Sequence, residues 1–388
     1  MNISSFPALM ARPNALTEAV PFFKNKSVTK LFLLADPFMA QSAHLDPLRK
    51  EIAQADIVLT EFSDFSGEPK LAKMDEIIAL ARAAECDGVI GIGGGSALDM
   101  AKIVSITLVA DRPADDYWMM ANPLPPQSLP SVMVPTTAGT GSESCSTNII
   151  ADRNGHKGWV WGPETKPDLI IHDPILSASL PAHLTGWCGM DAFIHAFEAS
   201  TNRYAHDGAR GFGHSALRLC LTALPDAVAD GDDLEARQKM LLASAWAGAA
   251  IDQVGTAVAH HISHAMASLA PIHHGHATAI GFEVTLGWII DGIAGDDVAV
   301  EKFQAVADTL GVEDYRDLPQ FVTDFMDACQ IDRRLPAVFN GFDKAALIEQ
   351  LLADHTQSMR NATSREVSEQ AIIEIVDRLS ELPIQEER

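Results

Sequence analysis

Short apolar runs recur through the first half of the chain, and several of them are rich in β-branched residues. Between several of these runs, apolar residues recur at helical spacing, as in KLAKMDEIIALARAAE at 70–85. Strands that alternate with helices are typical of a parallel sheet covered by helices on both faces. The predicted strands are 28–35, 56–62, 87–94, 131–137 and 168–173.

The pattern changes near Ser179. Beyond it, apolar positions recur at helical spacing in one segment after another, for example in GMDAFIHAFEAS and LEARQKMLLASAWAGAAI. Pro174 and Pro181 punctuate the loop between the two patterns. We therefore predict an α/β domain with a parallel sheet over residues 1–178, followed by an all-α domain over residues 179–388.

The 388 residues carry a formal net charge of −24, and 47% of them are hydrophobic. This charge argues against a nucleic-acid partner, because phosphate binding needs clustered lysine and arginine. It argues equally against binding to an anionic membrane surface. A chain of this length buries a core that is stable without a structural metal, so we expect any metal site to serve function.

The chain carries no recognisable signal for export or membrane insertion. The segment MNISSFPALMARPN lacks the basic start and long apolar run of a secretory signal. The longest apolar stretch, MLLASAWAGAAI, has about half the length of a membrane span. The five cysteines are scattered without a C-x-x-C pair, which argues against a zinc ribbon or a disulfide framework. We expect a cytoplasmic protein with reduced thiols.

A glycine-rich turn follows the third predicted strand, in GVIGIGGGSALDMAK. Gly93, Gly94 and Gly95 let the backbone approach an anion closely. The helix that follows presents unpaired N–H groups at its start, and a diphosphate suits such a turn. Ser96 and Asp99 on this helix are predicted to contact the cofactor. Because Ser96 replaces the last glycine of G-x-G-x-x-G, a plain strand-to-helix turn is the alternative.

A second loop of similar character, VPTTAGTGSES, follows the fourth predicted strand. Its short hydroxyl side chains and flexible glycines can surround a phosphate or a ribose. In a doubly wound sheet both loops lie at the carboxyl ends of strands, where ligands bind. Two such loops favour a nucleotide cofactor over two coincidental turns. The hydroxyl residues are Thr136, Thr137, Thr140 and Ser142.

Asp36 follows the first predicted strand, in LLADPF. A carboxylate at this position can accept a hydrogen bond from a ribose hydroxyl and would repel a 2′-phosphate, which favours NAD over NADP. The alternative is a plain turn at Asp36 and Pro37.

Six of the fourteen histidines lie in one short segment, AHHISHAMASLAPIHHGHA. His260 and His264 are four residues apart, so they share one face of a predicted helix that Pro271 ends. His274 follows in the turn beyond this helix. The segment therefore offers several imidazoles for one site.

Asp191 and His195 are likewise four residues apart, on the predicted helix GMDAFIHAFEAS. With His260 and His274 they would form a site of one carboxylate and three imidazoles. Such a ligand set suits Fe(II) or Zn(II) and does not suit Mg²⁺ or Ca²⁺, which prefer oxygen ligands. His264 would then lie beside the metal without binding it, available for proton transfer.

The other histidines of the segment, His261, His273 and His276, receive a structural interpretation. Two alternatives stay open at this point. His273 is adjacent to His274 and would replace it as a ligand in one of them. In the other, a shifted register makes His264 the first ligand of the segment.

Taken together, these stretches resemble the iron-containing (group III) alcohol dehydrogenase family. The resemblance covers nearly the whole chain, through LLADP, GIGGGSALDMAK, PTTAGTGSE, SLPAHLTGWCGMDAFIHAFEA and DGDDLEARQKMLLASAWAG, to the HG at 274–275. One departure is Ala97, because the family commonly has a proline after Gly-Gly-Gly-Ser.

The resemblance implies an NAD-dependent dehydrogenase, with NADP less favoured, in which a Rossmann-like dinucleotide-binding domain precedes a metal-binding catalytic domain. The glycine turn from Gly93 to Ser96 would hold the pyrophosphate, and Thr136 to Thr140 would form the second cofactor loop. His264 inherits the role of the catalytic histidine that does not bind the metal. A homodimer or larger homo-oligomer is also implied. The implied metal ligands are Asp191, His195, His260 and His274.

The predicted reaction is a metal-assisted hydride transfer that interconverts an alcohol and an aldehyde or ketone. The metal would stabilise the alkoxide of a small-molecule substrate, and His264 would carry the proton away. A maleylacetate-reductase-like oxo-acid reductase is one alternative. A dehydroquinate-synthase-like lyase is another, although His276 stands where that group has a glutamate. A non-catalytic metal or nucleotide sensor is a third, and the complete set of candidate ligands argues against it.

Overall fold

The computed structural model describes residues 5–67, 69–153 and 157–386, and these fall into two compact units. The first unit ends at Ser179 and the second begins at Leu180. The first contains a parallel sheet with helices, and the second is built from helices. The predicted fold class is therefore confirmed.

The first unit contains a sheet of six parallel strands among its described residues, in the order β1-β8-β5-β4-β2-β3. A separate antiparallel hairpin pairs β6 with β7. The strands are β1 (Ala8–Ala11), β2 (Lys30–Ala35), β3 (Val58–Phe62), β4 (Gly88–Gly93), β5 (Ser131–Pro135), β6 (Thr147–Ala151), β7 (Lys157–Trp161) and β8 (Leu169–His172). The helices of this unit are α1 (Ala19–Asn25), α2 (Pro37–Ala40), α3 (Asp46–Gln54), α4 (Leu71–Ala83) and α5 (Gly95–Thr107).

Strand β2 shows why the apolar runs of this unit are nearly continuous. Leu31 and Leu33 belong to the hydrophobic core on one face of the sheet, and Phe32 and Leu34 belong to the core on the other. Successive side chains of a strand point to opposite faces, so a strand covered on both sides needs apolar residues at every position. Each fully buried side chain of this kind contributes about 2 kcal/mol to the stability of the fold.

The second unit consists mainly of helices. They are α6 (Ala182–Thr201), α7 (Asp207–Ala229), α8 (Leu234–Val254), α9 (Val258–Leu269), α10 (His274–Ile293), α11 (Asp297–Leu310), α12 (Leu318–Ala328), α13 (Lys344–Leu352), α14 (Gln357–Ala362) and α15 (Glu369–Ser380). Helix α6 packs against α7, α8 and α10, and α9 packs against α10. Among the described helices, none combines the length and apolarity that a membrane crossing requires.

The five predicted strands correspond to β2, β3, β4, β5 and β8. Strand β1 and the β6-β7 hairpin were not predicted. Strand β1 has only four residues and pairs with β8, which lies far away in sequence. Its stability as a strand comes from that distant partner, and local hydrophobic pattern does not report it.

Candidate functional site

Two of the predicted metal ligands lie on α6, which is buried along most of its length. Asp191 and His195 are one turn apart and only 2% and 5% exposed. A helix that is apolar on nearly all sides belongs in the interior of a unit. Two polar side chains in such a helix need polar partners, because an unpartnered buried polar group is costly.

Helix α9 brings a third polar side chain, His260, beside them. The His260 Nε2 atom lies 3.4 Å from Asp191 Oδ1, and the His260 ring stacks on the His195 ring with 4.2 Å between centroids. The candidate ligand atoms of Asp191, His195 and His260 all lie within 4.8 Å of one another. A carboxylate and two imidazoles thus converge on one buried point that is small enough for a single ion.

His274 is the first residue of α10, and its Nε2 atom lies 3.6 Å from Asp191 Oδ1. The His264 ring lies beside the His274 ring, with 5.5 Å between centroids. His273 instead packs its ring against Trp187, at 5.1 Å. Of the two open alternatives, the geometry therefore favours His260 over His264 and His274 over His273 as the residues beside Asp191.

The cluster has the features of a cation site. Asp191 Oδ1 and His260 Nε2 are buried, and neither has a hydrogen-bond partner among the described residues. Burial favours the neutral form of Asp191, but the neighbouring imidazoles outweigh it and hold its pKa below the usual range. Burial disfavours the charged form of His260, but the Glu198 and Asp191 carboxylates outweigh it and raise its pKa to about 9. A divalent cation would satisfy both atoms and replace that proton.

Glu198, which lies on α6 and is 4% exposed, was not predicted to belong to the site. Its Oε2 atom lies 2.6 Å from His260 Nδ1, and its carboxylate also accepts hydrogen bonds from the backbone N–H groups of Ala257 and Ala259. The Glu198 carboxylate accepts from Nδ1–H, so Nε2 faces Asp191, and its lone pair becomes available when a cation displaces the proton from it. Glu198 could have been predicted from the sequence, because it is an acidic residue on an apolar helix three positions after His195.

Ser263 has the corresponding place beside His274, and it too was missed. Its Oγ atom lies 2.9 Å from His274 Nδ1 and 3.1 Å from the backbone oxygen of His274. The Ser263 side chain is fully buried on α9. A partner on Nδ1 leaves Nε2 on the side of Asp191, which is the orientation that metal binding requires.

In the first unit, the two predicted cofactor loops lie side by side at the carboxyl ends of β4 and β5. A Cβ atom on Gly95 would lie 2.8 Å from Thr140 Cγ2, and the N–H of Thr136 donates to the Gly93 oxygen at 2.9 Å. Gly93 has a φ of +152°, and a Cβ there would lie 2.9 Å from the Cβ of Asp36. Glycine is therefore required by close approach and by backbone conformation.

Gly94 and Ser96 lie beside this contact between the two loops. A Cβ on Gly94, which precedes α5, would lie 3.4 Å from the Thr137 hydroxyl oxygen. Gly94 has an extended backbone, and Ser96 lies in the first turn of α5. No side chain caps the start of this helix, and a helix start of this kind can bind an anion.

Asp99 and Ser142, both predicted to contact the cofactor, are engaged with each other. The Ser142 hydroxyl donates to Asp99 Oδ1, and the N–H of Ile149 donates to Asp99 Oδ2 at 2.9 Å. Burial raises the pKa of Asp99, although Lys102 opposes this. These side chains therefore join α5 to the second loop, and their contact with the cofactor stays a prediction.

Lys102, which the sequence analysis did not consider, completes this network. Its side chain is fully buried, and Nζ donates to the backbone oxygens of Ser142, Cys145 and Thr147 at 2.7 Å, 3.1 Å and 3.1 Å. A lysine with three acceptors and a nearby carboxylate is satisfied without solvent. Lys102 therefore holds residues 142–147, at the end of the second loop and just beyond it, against α5.

Asp36 begins α2. Its Oδ1 atom accepts hydrogen bonds from the N–H groups of Phe38 at 2.9 Å and Met39 at 3.4 Å. This is the helix cap that the turn interpretation anticipates, with Pro37 at the first helical position. The contact with a ribose stays a prediction.

Comparisons with known proteins agree with this architecture. The model of the iron-containing alcohol dehydrogenase family matches residues 7–174, and that of the C-terminal domain of Fe-containing alcohol dehydrogenases matches residues 185–380. The chain is 33% identical over 264 residues to the probable alcohol dehydrogenase EutG of Salmonella typhimurium, covering 68% of this chain and 67% of EutG. It is 32% identical over 301 residues to the sulfoacetaldehyde reductase of Bilophila wadsworthia, covering 77% and 76%.

Among solved structures, sulfoacetaldehyde reductase from Bifidobacterium kashiwanohense in complex with NAD+ is similar, with a TM-score of 0.87. The match covers 98% of this chain and 99% of that one at 24% sequence identity, and it shows a shared fold. The matches confirm the predicted family and the predicted class of enzyme, an oxidoreductase of the alcohol dehydrogenase type. The chain belongs to the iron-containing alcohol dehydrogenase family.

Proposed function

We propose that this protein is a metal-dependent, NAD(P)-linked oxidoreductase that interconverts an alcohol and an aldehyde or ketone by hydride transfer. The observation that carries the proposal is the buried cluster of Asp191, His195 and His260, in which Asp191 Oδ1 and His260 Nε2 lack hydrogen-bond partners among the described residues. Family membership supports the same reaction.

The metal ligands in this proposal are Asp191, His195, His260 and His274. When bound, the metal supplies a Lewis acid for the substrate oxygen, and the nicotinamide supplies a hydride acceptor. The nitrogen-rich ligand set suits Fe(II) or Zn(II). Asp191 contributes the one negative charge among the four ligands, and burial keeps water away from most of the cluster.

The chain's own residues orient this site and move the proton. Glu198 and Ser263 hold the rings of His260 and His274 with Nε2 toward Asp191. His264 is half-buried, and its ring lies beside that of His274. We assign to His264 the transfer of the proton that an alcohol loses on oxidation.

The α/β domain over residues 1–178 is the NAD(P)-binding domain in this proposal, and the helical domain over 179–388 is the catalytic one. The start of α5, from Gly93 to Ser96, would bind the pyrophosphate, and Thr136, Thr137 and Thr140 would complete the cofactor site. Asp36 favours NAD over NADP. Asp99 and Ser142 act indirectly, since they join α5 to the second loop.

The substrate class follows from the relatives, which include a probable alcohol dehydrogenase and a sulfoacetaldehyde reductase. We therefore propose a small alcohol and its carbonyl product, with short aldehydes that carry an acid group as a second set of substrates. The first test quantifies metal in anaerobically purified protein and measures NADH formation over a panel of short alcohols and diols. A parallel assay follows NADH oxidation with the corresponding aldehydes and oxo-acids.

We expect activity to disappear on chelation and to return with Fe(II) or Zn(II). The variant His260→Ala should lose both metal and activity, whereas His264→Ala should keep its metal and lose rate. Metal loss in His264→Ala would mean that the register of the ligands is wrong. Stoichiometric metal and NAD binding without turnover on any alcohol, aldehyde or oxo-acid would contradict the proposed reaction.

A further inference from the structure

Trp187 lies one turn before Asp191 on α6, and its half-buried ring is surrounded by imidazoles. It stacks on the His276 ring, with 4.8 Å between centroids and 5° between planes. It also contacts the ring of His273 at 5.1 Å and, edge to face, that of His183 at 5.0 Å. Two of these three histidines, His273 and His276, flank the metal-ligand candidate His274 in sequence.

The stacked ring of His276 is held firmly. Its Nε2 atom lies 2.6 Å from the backbone oxygen of Asp332, and the residue is only 2% exposed. A carbonyl oxygen can only accept, so Nε2 carries the hydrogen and the orientation of the ring is determined. The loop that contains Asp332 is joined to α10 by Arg333, which donates to Glu283 Oε1 at 3.0 Å.

Gly275 brings the backbones of the two helices together. A Cβ at this position would lie 2.2 Å from the backbone oxygen of Trp187 and 3.3 Å from the Cβ of Asp191. Any other residue would push the first turn of α10 away from α6. The close approach puts the preceding residue, His274, within reach of Asp191 Oδ1.

His274 is the candidate ligand with the greatest need for such support. Its side chain is 31% exposed, whereas those of Asp191, His195 and His260 are 3%, 6% and 2% exposed. Dense packing immobilises the other three, but a partly exposed residue at the start of a helix is held by fewer neighbours. Ser263 on α9 orients the His274 ring, and the distance from this ring to Asp191 depends on how the first turn of α10 is joined to α6.

We propose that Trp187 and His276 are positioning residues: their stacked rings clamp the first turn of α10 onto α6 and hold His274 where it can bind the metal. The inference rests on the proposed function, since it takes His274 as a ligand. Removal of the stack should weaken metal binding and change its geometry while the buried ligands remain in place. Groups that support metal ligands typically change metal affinity about 10- to 100-fold.

The test uses the full chain stripped of metal and titrated with Co²⁺ in competition with a chelator. Its visible spectrum reports the number and geometry of the ligands independently of turnover. We expect Trp187→Leu and His276→Ala to bind Co²⁺ about tenfold more weakly. Their spectra should shift toward that of His274→Ala, and Trp187→Phe should restore the wild-type spectrum.

His183→Ala is the matched control, because His183 also touches the Trp187 ring but lies on α6 itself. It should leave affinity and spectrum unchanged. If Trp187→Leu does not fold, as judged by circular dichroism, His276→Ala still removes the stack and decides the question. Co²⁺ affinity within twofold of wild type and an unchanged spectrum in folded His276→Ala would overturn the inference.

The same titration separates this inference from the proposed function. A wild-type protein that binds no Co²⁺, Fe(II) or Zn(II) would contradict the metal-dependent reaction itself. A His274→Ala variant with the wild-type spectrum would remove His274 from the ligands and would overturn the clamp with it. If the wild type binds Co²⁺ and the Trp187→Leu and His276→Ala variants bind it with the same affinity and spectrum, the positioning role is overturned and the proposed function is not.

Discussion

Two groups of buried polar side chains, one in each unit, differ in how their polar atoms are satisfied. In the α/β unit, both oxygens of Asp99 accept hydrogen bonds, and Lys102 Nζ donates to three backbone oxygens. In the helical unit, Asp191 Oδ1 and His260 Nε2 are equally buried but have no such partner among the described residues. Asp99 and Asp191 are both buried, so the difference between them lies in how their oxygens are bonded.

The comparison separates polar groups that hold a fold from polar groups that bind a ligand. A buried polar atom without a partner costs about 1–3 kcal/mol, so two such atoms that face each other among candidate ligands favour a bound cation. The network around Lys102 is complete and joins two loops. The cluster around Asp191 becomes complete when a cation binds, and its stability therefore depends on the metal.

The largest effect is expected at the incomplete cluster, from Asp191→Asn. The amide has the size of the carboxylate but lacks the charge that a divalent cation needs. We expect metal content near zero and a loss of activity greater than about 100-fold, the upper range for residues that only support ligands. Metal analysis and the NADH assay measure both. Stoichiometric metal in Asp191→Asn would show that the cluster is not the metal site. Asp99→Asn is the control: it makes the same chemical change in the other unit and should keep its metal.

Glu198 tests how far the cluster depends on the residues behind its ligands. Glu198→Ala removes the acceptor for His260 Nδ1, so the ring loses its orientation and its tautomer. We expect metal affinity to fall about 10- to 100-fold, and Glu198→Gln, which keeps one acceptor, to lose less. Competition with a chelator measures both. Equal affinities in the wild type and Glu198→Ala would show that packing alone holds His260.

Ser142 tests the complete network. Ser142→Ala removes the donor to Asp99 Oδ1 and should lower the free energy of unfolding by about 1–2 kcal/mol, because a buried oxygen loses its partner. The dissociation constant for NAD should change little. Chemical denaturation and NAD titration give the two values. A tenfold weaker NAD affinity with unchanged stability would instead support the direct cofactor contact that the sequence suggested.

The smallest effect concerns His214 on α7, which contrasts with His260 in its response to pH. Burial lowers the pKa of His214 to about 4, with help from Arg210 and Arg218 and against Glu301. The unfolded chain takes up a proton near pH 6.5, but the folded one resists it, so stability should fall as pH drops from 6.5 to 4.

His214→Gln removes this titration and should reduce the loss of thermal stability between pH 7 and pH 5. Between pH 7 and pH 5, the Tm of the variant should fall by less than that of the wild type. Because His214 is only half-buried, we expect this difference to be no more than about 3 °C. Melting curves at the two pH values measure it. A variant that loses as much Tm as the wild type would assign the acid sensitivity to other groups.

Several elements of the fold and site could be predicted from local sequence because their signals are local. The five strands that were predicted have apolar residues on both faces, and the i,i+4 pairs of α6 and α9 put Asp191 with His195 and His260 with His264 on one face. The glycines before α5 were identified for the same reason, since the strand, turn and helix are adjacent. Such patterns persist whatever the rest of the chain does.

Residues that act through distant partners left no comparable signal. The role of Ser263 depends on His274, which α10 places beside it. The role of Lys102 depends on the 142–147 segment, which supplies its acceptors. Asp99 and Ser142 were predicted as cofactor contacts from their places after β4 and β5. The hydrogen bond between them, across 43 positions of sequence, could not be predicted from either segment alone.

The sequence by itself determined the two-part architecture, the family and the kinds of ligand, because periodicity and motif spacing are properties of neighbouring residues. The tertiary structure decided which of the adjacent histidines His273 and His274 approaches Asp191 and which of His260 and His264 does so. It also decided which buried polar atoms remain without a partner. The physical reason is that a metal site is defined by distances of a few ångströms between separate helices, and those distances are set by packing.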